Sequence, residues 1–131
     1  METLNLIKND PWLEPYADAI NGRHKHAAEK EAELTNKRKQ TLSDFASGYL
    51  YFGLHRTDNG WVFREWAPNA TQIFLIGTFN DWKEEKKYSL KRKANGNWEI
   101  TLPADAMKHG DLYKLMVHWD GGCGERIPAW A

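Results

Sequence analysis

The sequence predicts a mainly β protein, an antiparallel sandwich preceded by two or three short α-helices. The first observation is a change of pattern near Gly48, where helical spacing of apolar residues gives way to short segments rich in Val, Ile, Phe, Tyr and Trp. The second is the turn residues between those segments: Asp58-Asn59-Gly60, Asn80-Asp81, Ala94 to Asn97 and Asp120 to Gly122. Such spacing is typical of an immunoglobulin-like sandwich.

The helical segment is predicted to cover residues 1–47. Asp10 before Pro11 is a helix start, because a capping carboxylate precedes a proline at the first helical position. Apolar residues then recur at helical spacing until Asn21-Gly22, which we expect to end the helix. We predict helices over 11–20 and 23–39, the second mostly charged and solvated, and a short helical turn over 41–46.

The sandwich is predicted to cover residues 48–131, with strands near 50–56, 60–66, 72–77, 87–92, 97–102, 111–119 and 123–127. Alternate side chains of a strand point to opposite faces. Two inward rows follow: Trp98, Ile100 and Leu102, and Tyr113, Leu115, Val117 and Trp119. We therefore expect Trp98 and Trp119 in the core, with Phe79 filling it from a turn. Lys114, Met116 and His118 then point the other way. Trp82 belongs to no inward row, so we expect one face of its indole to be open to solvent on the side of the sandwich that carries Lys114.

The charge balance argues against a nucleic-acid partner, because 18 basic and 18 acidic residues cancel. Cys123 is the single cysteine, so no internal disulfide is expected. The opening residues lack the pattern of a secretory signal, and the sequence has no apolar run long enough for a bilayer. These features favour a reducing, cytoplasmic setting without a membrane partner.

The sequence offers no candidate for a cofactor or metal. His24 and His26 lie two positions apart on a predicted helix, so their side chains point roughly 200° apart. The glycine-rich stretch at 121–124 has no helix after it and is better interpreted as a loose hairpin end than as a phosphate cradle. Paired catalytic carboxylates are also missing, and we predict no catalytic residue in the chain.

Several stretches carry a resemblance to a known family. REWAPNATQIFLIGTFNDW, residues 64–82, resembles the signature of the starch- and glycogen-binding module of family 48, and NGNWEITLP (95–103) and LYKLMVHWDGG (112–122) continue it. The flanks DPWLEPYADAI (10–20), FASGYLYFGLHR (45–56) and ERIPAWA (125–131) are similar to the N-terminal region of eukaryotic-type 1,4-α-glucan branching enzymes. The resemblance implies a parent enzyme of glycogen synthesis that turns α-1,4 glucan segments into α-1,6 branches, with its catalytic barrel outside this chain.

The resemblance also implies a role for this chain and its residues. As a noncatalytic module, it would bind α-1,4 glucan or glycogen and contact the enzyme's own C-terminal catalytic domain. Lys114 matches the family's Tyr-Lys position, and Trp82 and Asn80 lie on the signature turn; these three are the predicted carbohydrate-binding residues. A second stacking tryptophan does not align, because the hairpin after His118 differs in spacing.

Two alternatives remain open at this point. The sandwich could brace a catalytic domain as a protein-docking module without binding sugar, and Trp82 would then pack on a neighbouring loop or domain. Alternatively, the chain could be a glycogen-targeting regulatory subunit, which the helical segment and ERIPAWA disfavour.

Overall fold

The computed structural model describes residues 4–131. The first three residues of the predicted helical segment lie outside the described part. The chain divides between Ser47 and Gly48 into two compact units. The first is helical and the second is a β-sandwich, which confirms the predicted fold class.

Over residues 4–47, the helical unit contains three α-helices and one 3₁₀ helix. Its α-helices are α1 (Asn5–Asn9), α2 (Ala17–Leu34) and α3 (Leu42–Phe45), and the 3₁₀ helix covers Pro11–Tyr16. The Asp10 carboxylate accepts a hydrogen bond from the Trp12 backbone N at 3.0 Å, so the predicted cap forms. Thr41 and Asp44 form a reciprocal capping box at the start of α3.

Two helix boundaries differ from the prediction. The expected break at Asn21-Gly22 is wrong, because α2 continues through both residues. One glycine costs a helix only about 1 kcal/mol, and the following alanine, lysine and glutamate residues favour the helix. The second predicted helix ends at Leu34, after which residues 36–38 adopt left-handed backbone angles. Helix α1 was not predicted.

The sandwich unit has seven strands: β1 (Gly53–Thr57), β2 (Gly60–Trp66), β3 (Ala70–Gly77), β4 (Lys91–Arg92), β5 (Asn97–Pro103), β6 (Tyr113–Trp119) and β7 (Gly122–Arg126). They form two antiparallel sheets, ordered β1-β2-β5-β4 and β3-β6-β7. All seven predicted strands are present. The strand expected over 87–92 shrinks to two residues because a 3₁₀ turn occupies Lys86–Tyr88.

The core lies between the two sheets and confirms most of the predicted inner faces. Trp98, Ile100 and Leu102 are buried, and the indole Nε1 of Trp98 donates to the carbonyl oxygen of Ala67 at 2.9 Å. On β6, Leu115 and Val117 are also buried. Phe79 is half-buried and packs against this cluster.

The prediction that Trp119 lies in the core is wrong, because its side chain is 46% exposed. Trp119 is the last residue of β6, beyond the buried Leu115 and Val117. Its ring lies against Gly122 and Gly124 of β7, and a Cβ added to Gly122 would approach the indole Nε1 to 3.1 Å. Because these glycines have no side chains, the indole can lie along β7 at the edge of the sandwich.

The last residues of the described chain return to the start of the sandwich. The ring of Trp130 lies against Gly48, where an added Cβ would come within 3.2 Å of it. Gly53 has a φ of +90° and leaves no room for a side chain beside the Trp130 backbone. The Ala129 backbone N donates to the buried Glu65 carboxylate at 3.4 Å. Within residues 4–131, no helix has the length and apolar character to cross a membrane.

Candidate functional site

The candidate site begins at the turn that follows β3. Thr78–Asn80 forms one turn of 3₁₀ helix, and Asp81 and Trp82 both adopt left-handed backbone angles, with φ of 55° and 58°. The Trp82 backbone N donates to the Gly77 carbonyl oxygen at 3.0 Å. A left-handed residue other than glycine costs about 1–2 kcal/mol, and a bulky one is uncommon. The turn therefore presents Trp82 at an energetic cost that its surroundings must offset.

Asn80 supplies much of that compensation. Its side-chain oxygen accepts a hydrogen bond from the Gly77 backbone N at 2.9 Å, and its Nδ2 donates to the carbonyl oxygens of Leu75 and Lys83 at 3.1 and 2.9 Å. Both amide hydrogens are used, and the residue is 7% exposed. This geometry argues against the predicted direct contact between Asn80 and sugar, because Asn80 is committed to holding the turn.

Trp82 and Lys114 come together as the prediction expected. Trp82 is 41% exposed, and the Lys114 Nζ lies 5.5 Å from the centroid of its indole ring. Lys114 also forms an ion pair with Glu125 of β7, with Nζ 2.9 Å from a carboxylate oxygen. We call Trp82, Lys114 and Glu125 the Trp82 surface. It combines an aromatic plane with a charged donor and a charged acceptor.

A second exposed aromatic region was missed by the sequence analysis. A cleft of about 370 Å³ at the rim of the sandwich is lined by Trp66, Pro68, Asn69, Trp119 and Arg126, among others. Trp66 is 56% exposed, and its Nε1 donates to the Asn95 carbonyl oxygen at 3.0 Å. The glycines that follow Trp119 could have revealed this region in the sequence. Glycines near the end of a strand have no side chains and leave room for an indole to lie outside the core.

Within residues 4–131, two carboxyl groups have clearly shifted pKa values, and both shifts are downward. A hydrogen bond from the Lys108 backbone N lowers the pKa of Asp111, and hydrogen bonds with Thr41 lower the pKa of Asp44. A general acid of glycoside chemistry needs a carboxyl with a raised pKa, which is the opposite direction. Burial and the nearby Glu65 charge raise the pKa of Tyr113, which lies beside the core. In residues 4–131, no cluster of three His, Cys, Asp or Glu side chains could hold a metal ion.

The Trp82 surface is suited to a neutral, partly apolar ligand. A sugar ring has a face of C–H groups that can lie on an indole, while its hydroxyls need hydrogen-bond partners such as an ammonium or a carboxylate. A β-sandwich that carries such a surface belongs to the class of ligand-binding modules. The family model described as "Carbohydrate-binding module 48 (Isoamylase N-terminal domain)" matches residues 51–131, and the chain belongs to this family.

Relatives match almost the whole chain. It is 36% identical over 131 residues to the 1,4-alpha-glucan-branching enzyme of Dictyostelium discoideum, covering 95% of this chain and 19% of that protein. The corresponding enzyme of Aspergillus oryzae is 39% identical with the same coverage. The enzyme of Solanum tuberosum is 36% identical over 134 residues, covering 98% of this chain and 15% of that protein. The chain thus spans less than a fifth of each relative's length, and the predicted resemblance is confirmed.

Solved structures show a weaker likeness. A pullulanase type I from Bacillus subtilis, complexed with maltose, has 23% sequence identity and a TM-score of 0.47. The match covers 57% of this chain and 10% of the pullulanase chain.

Proposed function

We propose that this chain is the noncatalytic glucan-binding module of a 1,4-α-glucan branching enzyme, and that it positions an α-1,4 glucan for the parent enzyme. Membership of the carbohydrate-binding family and the similarity to branching enzymes support the proposal. The observation that carries it is Trp82, an exposed indole held on a strained turn beside Lys114. Strained backbone persists at sites where the exposed side chain has a use.

Within this proposal, Trp82 is the stacking platform. Lys114 and Glu125 offer a donor and an acceptor to the hydroxyls of the bound glucan. Asn80 contributes indirectly, because its hydrogen bonds to the backbone hold the turn that carries Trp82. The other proposed partner is the catalytic domain of the same enzyme, as in the relatives named above, where the matched segment is a small part of a longer chain.

The binding energy of one platform is modest. Stacking that removes roughly 100 Å² of apolar surface from water gains about 2.5 kcal/mol at ~25 cal/mol/Å². The loss of translational and rotational freedom costs at least about 4 kcal/mol. Short glucans should therefore bind with millimolar affinity, and long chains should gain from several sites on one enzyme through effective concentration.

The compartment also belongs to the proposal. Glycogen synthesis and a single, exposed, unpaired cysteine agree with a reducing, cytoplasmic setting. The relatives do not share one compartment, since one from Oryza sativa is a chloroplastic/amyloplastic branching enzyme.

The proposal is tested by titrating the chain with maltoheptaose and following backbone and indole NMR signals. We expect the signals of Trp82 and its neighbours to shift at millimolar sugar, with little change at the buried Trp98. Trp82→Ala should abolish the shifts. Trp12→Ala is the matched control, because Trp12 is 87% exposed but lies on the helical unit.

Two results would count against glucan binding at this surface. One is the absence of any shift at millimolar sugar. The other is an unchanged titration in Trp82→Ala, which would move the binding to another part of the chain.

A docking function is the second candidate, and a specific groove favours it. The groove has a volume of about 610 Å³ and is lined by Phe52, Glu65, Trp66, Arg126, Ile127, Ala129 and Trp130. Ile127 is 70% exposed and Trp130 is 45% exposed, which is unusual for apolar side chains so close together. If this module only braces the catalytic domain, maltoheptaose will leave its spectrum unchanged, and substitutions at Ile127 will weaken its association with that domain.

A further inference from the structure

The loop that carries Trp82 touches the outer face of β6 at two separate points. Residues 78–85 form this loop, which we call the Trp82 loop. The first point is Trp82 beside Lys114. The second is Glu84, whose carboxylate oxygens lie 3.0 and 3.1 Å from the Nε2 of His118. Lys114 and His118 are four residues apart on one strand and therefore share a face.

His118 is itself held in place by a contact with a neighbouring aromatic ring. Its ring meets the Phe74 ring edge-on, with centroids 5.9 Å apart and an interplanar angle of 75°. Phe74 lies on the neighbouring strand β3 and is buried. The imidazole thus packs on a buried side chain of the same outer face and also contacts Glu84.

The Trp82 loop is held on the other side as well. Asn80 donates to the Lys83 carbonyl oxygen at 2.9 Å and accepts from the Gly77 backbone N. The two left-handed residues, Asp81 and Trp82, lie between Asn80 and the contact of Glu84 with His118. A strained pair of this kind keeps its conformation only when the surrounding contacts over-determine it. The Glu84–His118 contact extends this restraint to β6, beside the contact of Trp82 with Lys114.

We propose that Glu84 and His118 are positioning residues of the Trp82 surface. Neither needs to touch sugar. By tying the loop to β6, they keep the Trp82 indole in one orientation beside Lys114, so that binding does not have to order it. This role rests on the proposed function, because it concerns the affinity of the same surface for glucan. A surface that is already rigid in the free protein loses less conformational entropy when the ligand binds.

The test compares two neighbouring carboxylates. Glu84→Ala removes the contact with His118, and Glu85→Ala is the matched control because it deletes an exposed carboxylate one residue further along. His118→Lys is the rescue variant, since a lysine can still reach Glu84. Each variant is measured without sugar, by the indole NMR signal of Trp82, and with maltoheptaose, by its dissociation constant.

We expect Glu84→Ala to broaden or shift the Trp82 indole signal in the free protein and to weaken maltoheptaose binding roughly threefold to tenfold, the cost of ordering one side chain. Glu85→Ala should leave both readouts near the wild type. His118→Lys should stay within about twofold of the wild-type affinity, since it keeps a hydrogen-bond donor for Glu84.

Different failures have different meanings. If Glu84→Ala and Glu85→Ala give the same free-protein spectrum, the contact does not orient Trp82 and the inference is overturned. If the indole signal changes but the affinity does not, the contact is structural and has no positioning role. If the wild-type chain does not bind maltoheptaose, the proposed function and its positioning residues fall together, while the free-protein spectra still decide whether Glu84 holds the loop.

Discussion

The two faces of β6 are built by different kinds of contact. On the inner face, Leu115 and Val117 are buried against the opposing sheet. On the outer face, Lys114 and His118 meet Trp82 and Glu84 of the Trp82 loop through one cation–π contact and one imidazole–carboxylate hydrogen bond. The inner contacts are apolar and non-directional, whereas the outer ones depend on the orientation of single groups.

This difference separates stability from function. Apolar burial supplies most of the free energy of folding, so substitutions on the inner face should unfold the sandwich. Exposed ion pairs contribute about 0–1 kcal/mol, so substitutions on the outer face should change the proposed binding surface and leave the fold intact. Four predictions follow from this contrast, in order of decreasing effect.

Trp98→Ala should reduce the free energy of unfolding by about 3–5 kcal/mol, because it leaves a cavity between the sheets. The residue is 4% exposed, and its indole hydrogen bond to Ala67 is lost as well. Urea unfolding of both proteins measures the difference. A loss below about 1 kcal/mol would contradict the dominance of the inner face.

Asn80→Ala should reduce the free energy of unfolding by about 2–3 kcal/mol, because buried groups at Gly77, Leu75 and Lys83 lose their partner. Asn69→Ala is the control: Asn69 is exposed, and its replacement should matter by at most about 0.5 kcal/mol. Equal effects of the two substitutions would show that Asn80 does not support the turn.

The free energy of unfolding of Trp82→Gly should exceed that of Trp82→Ala by roughly 0.5–1 kcal/mol, because glycine adopts a positive φ without steric cost. The greater conformational entropy of glycine in the unfolded chain offsets only part of this advantage. The φ of Trp82 is 58°. Thermal or urea unfolding of the two variants gives the comparison. If alanine is the more stable replacement, the left-handed backbone at this position carries no strain.

The alkaline limit of stability should depend on Tyr113. Burial, and then the Glu65 charge, raise the pKa of Tyr113 above its ordinary value of 10.0. The folded state therefore holds this proton more tightly than the unfolded state, and stability falls as the pH rises through and above that value. Tyr113→Phe should flatten the fall, as measured by urea unfolding at several alkaline pH values. An unchanged slope would contradict the shift.

The sequence predicts the inner faces well because the apolar residues that alternate along a strand form the face that the fold has to bury. Trp98, Ile100 and Leu102 share a face in any strand of that register, and a hydrophobic face must be covered. Trp119 shows the limit of this reasoning. Alternation assigns a side chain to a face but does not say how far along the strand the opposing sheet extends.

The candidate site was only partly predictable. The resemblance and the position of Trp82 outside every row placed it near Lys114, and the structure brings the two together. The sequence could not show whether the Asn80 amide faces the backbone or the solvent, since both occur at turns. Nor could it show the contact between Glu84 and His118, because that contact depends on the path of the Trp82 loop over β6.

The position of Trp130 against Gly48 brings residue 130 back to the place where the chain enters the sandwich. A unit whose two ends lie side by side can be spliced into a longer polypeptide while the flanking segments stay close together. Gly48 and Gly53 make this possible, since a side chain at either position would push the returning segment away. The two glycines and Trp130 thus close this end of the sandwich.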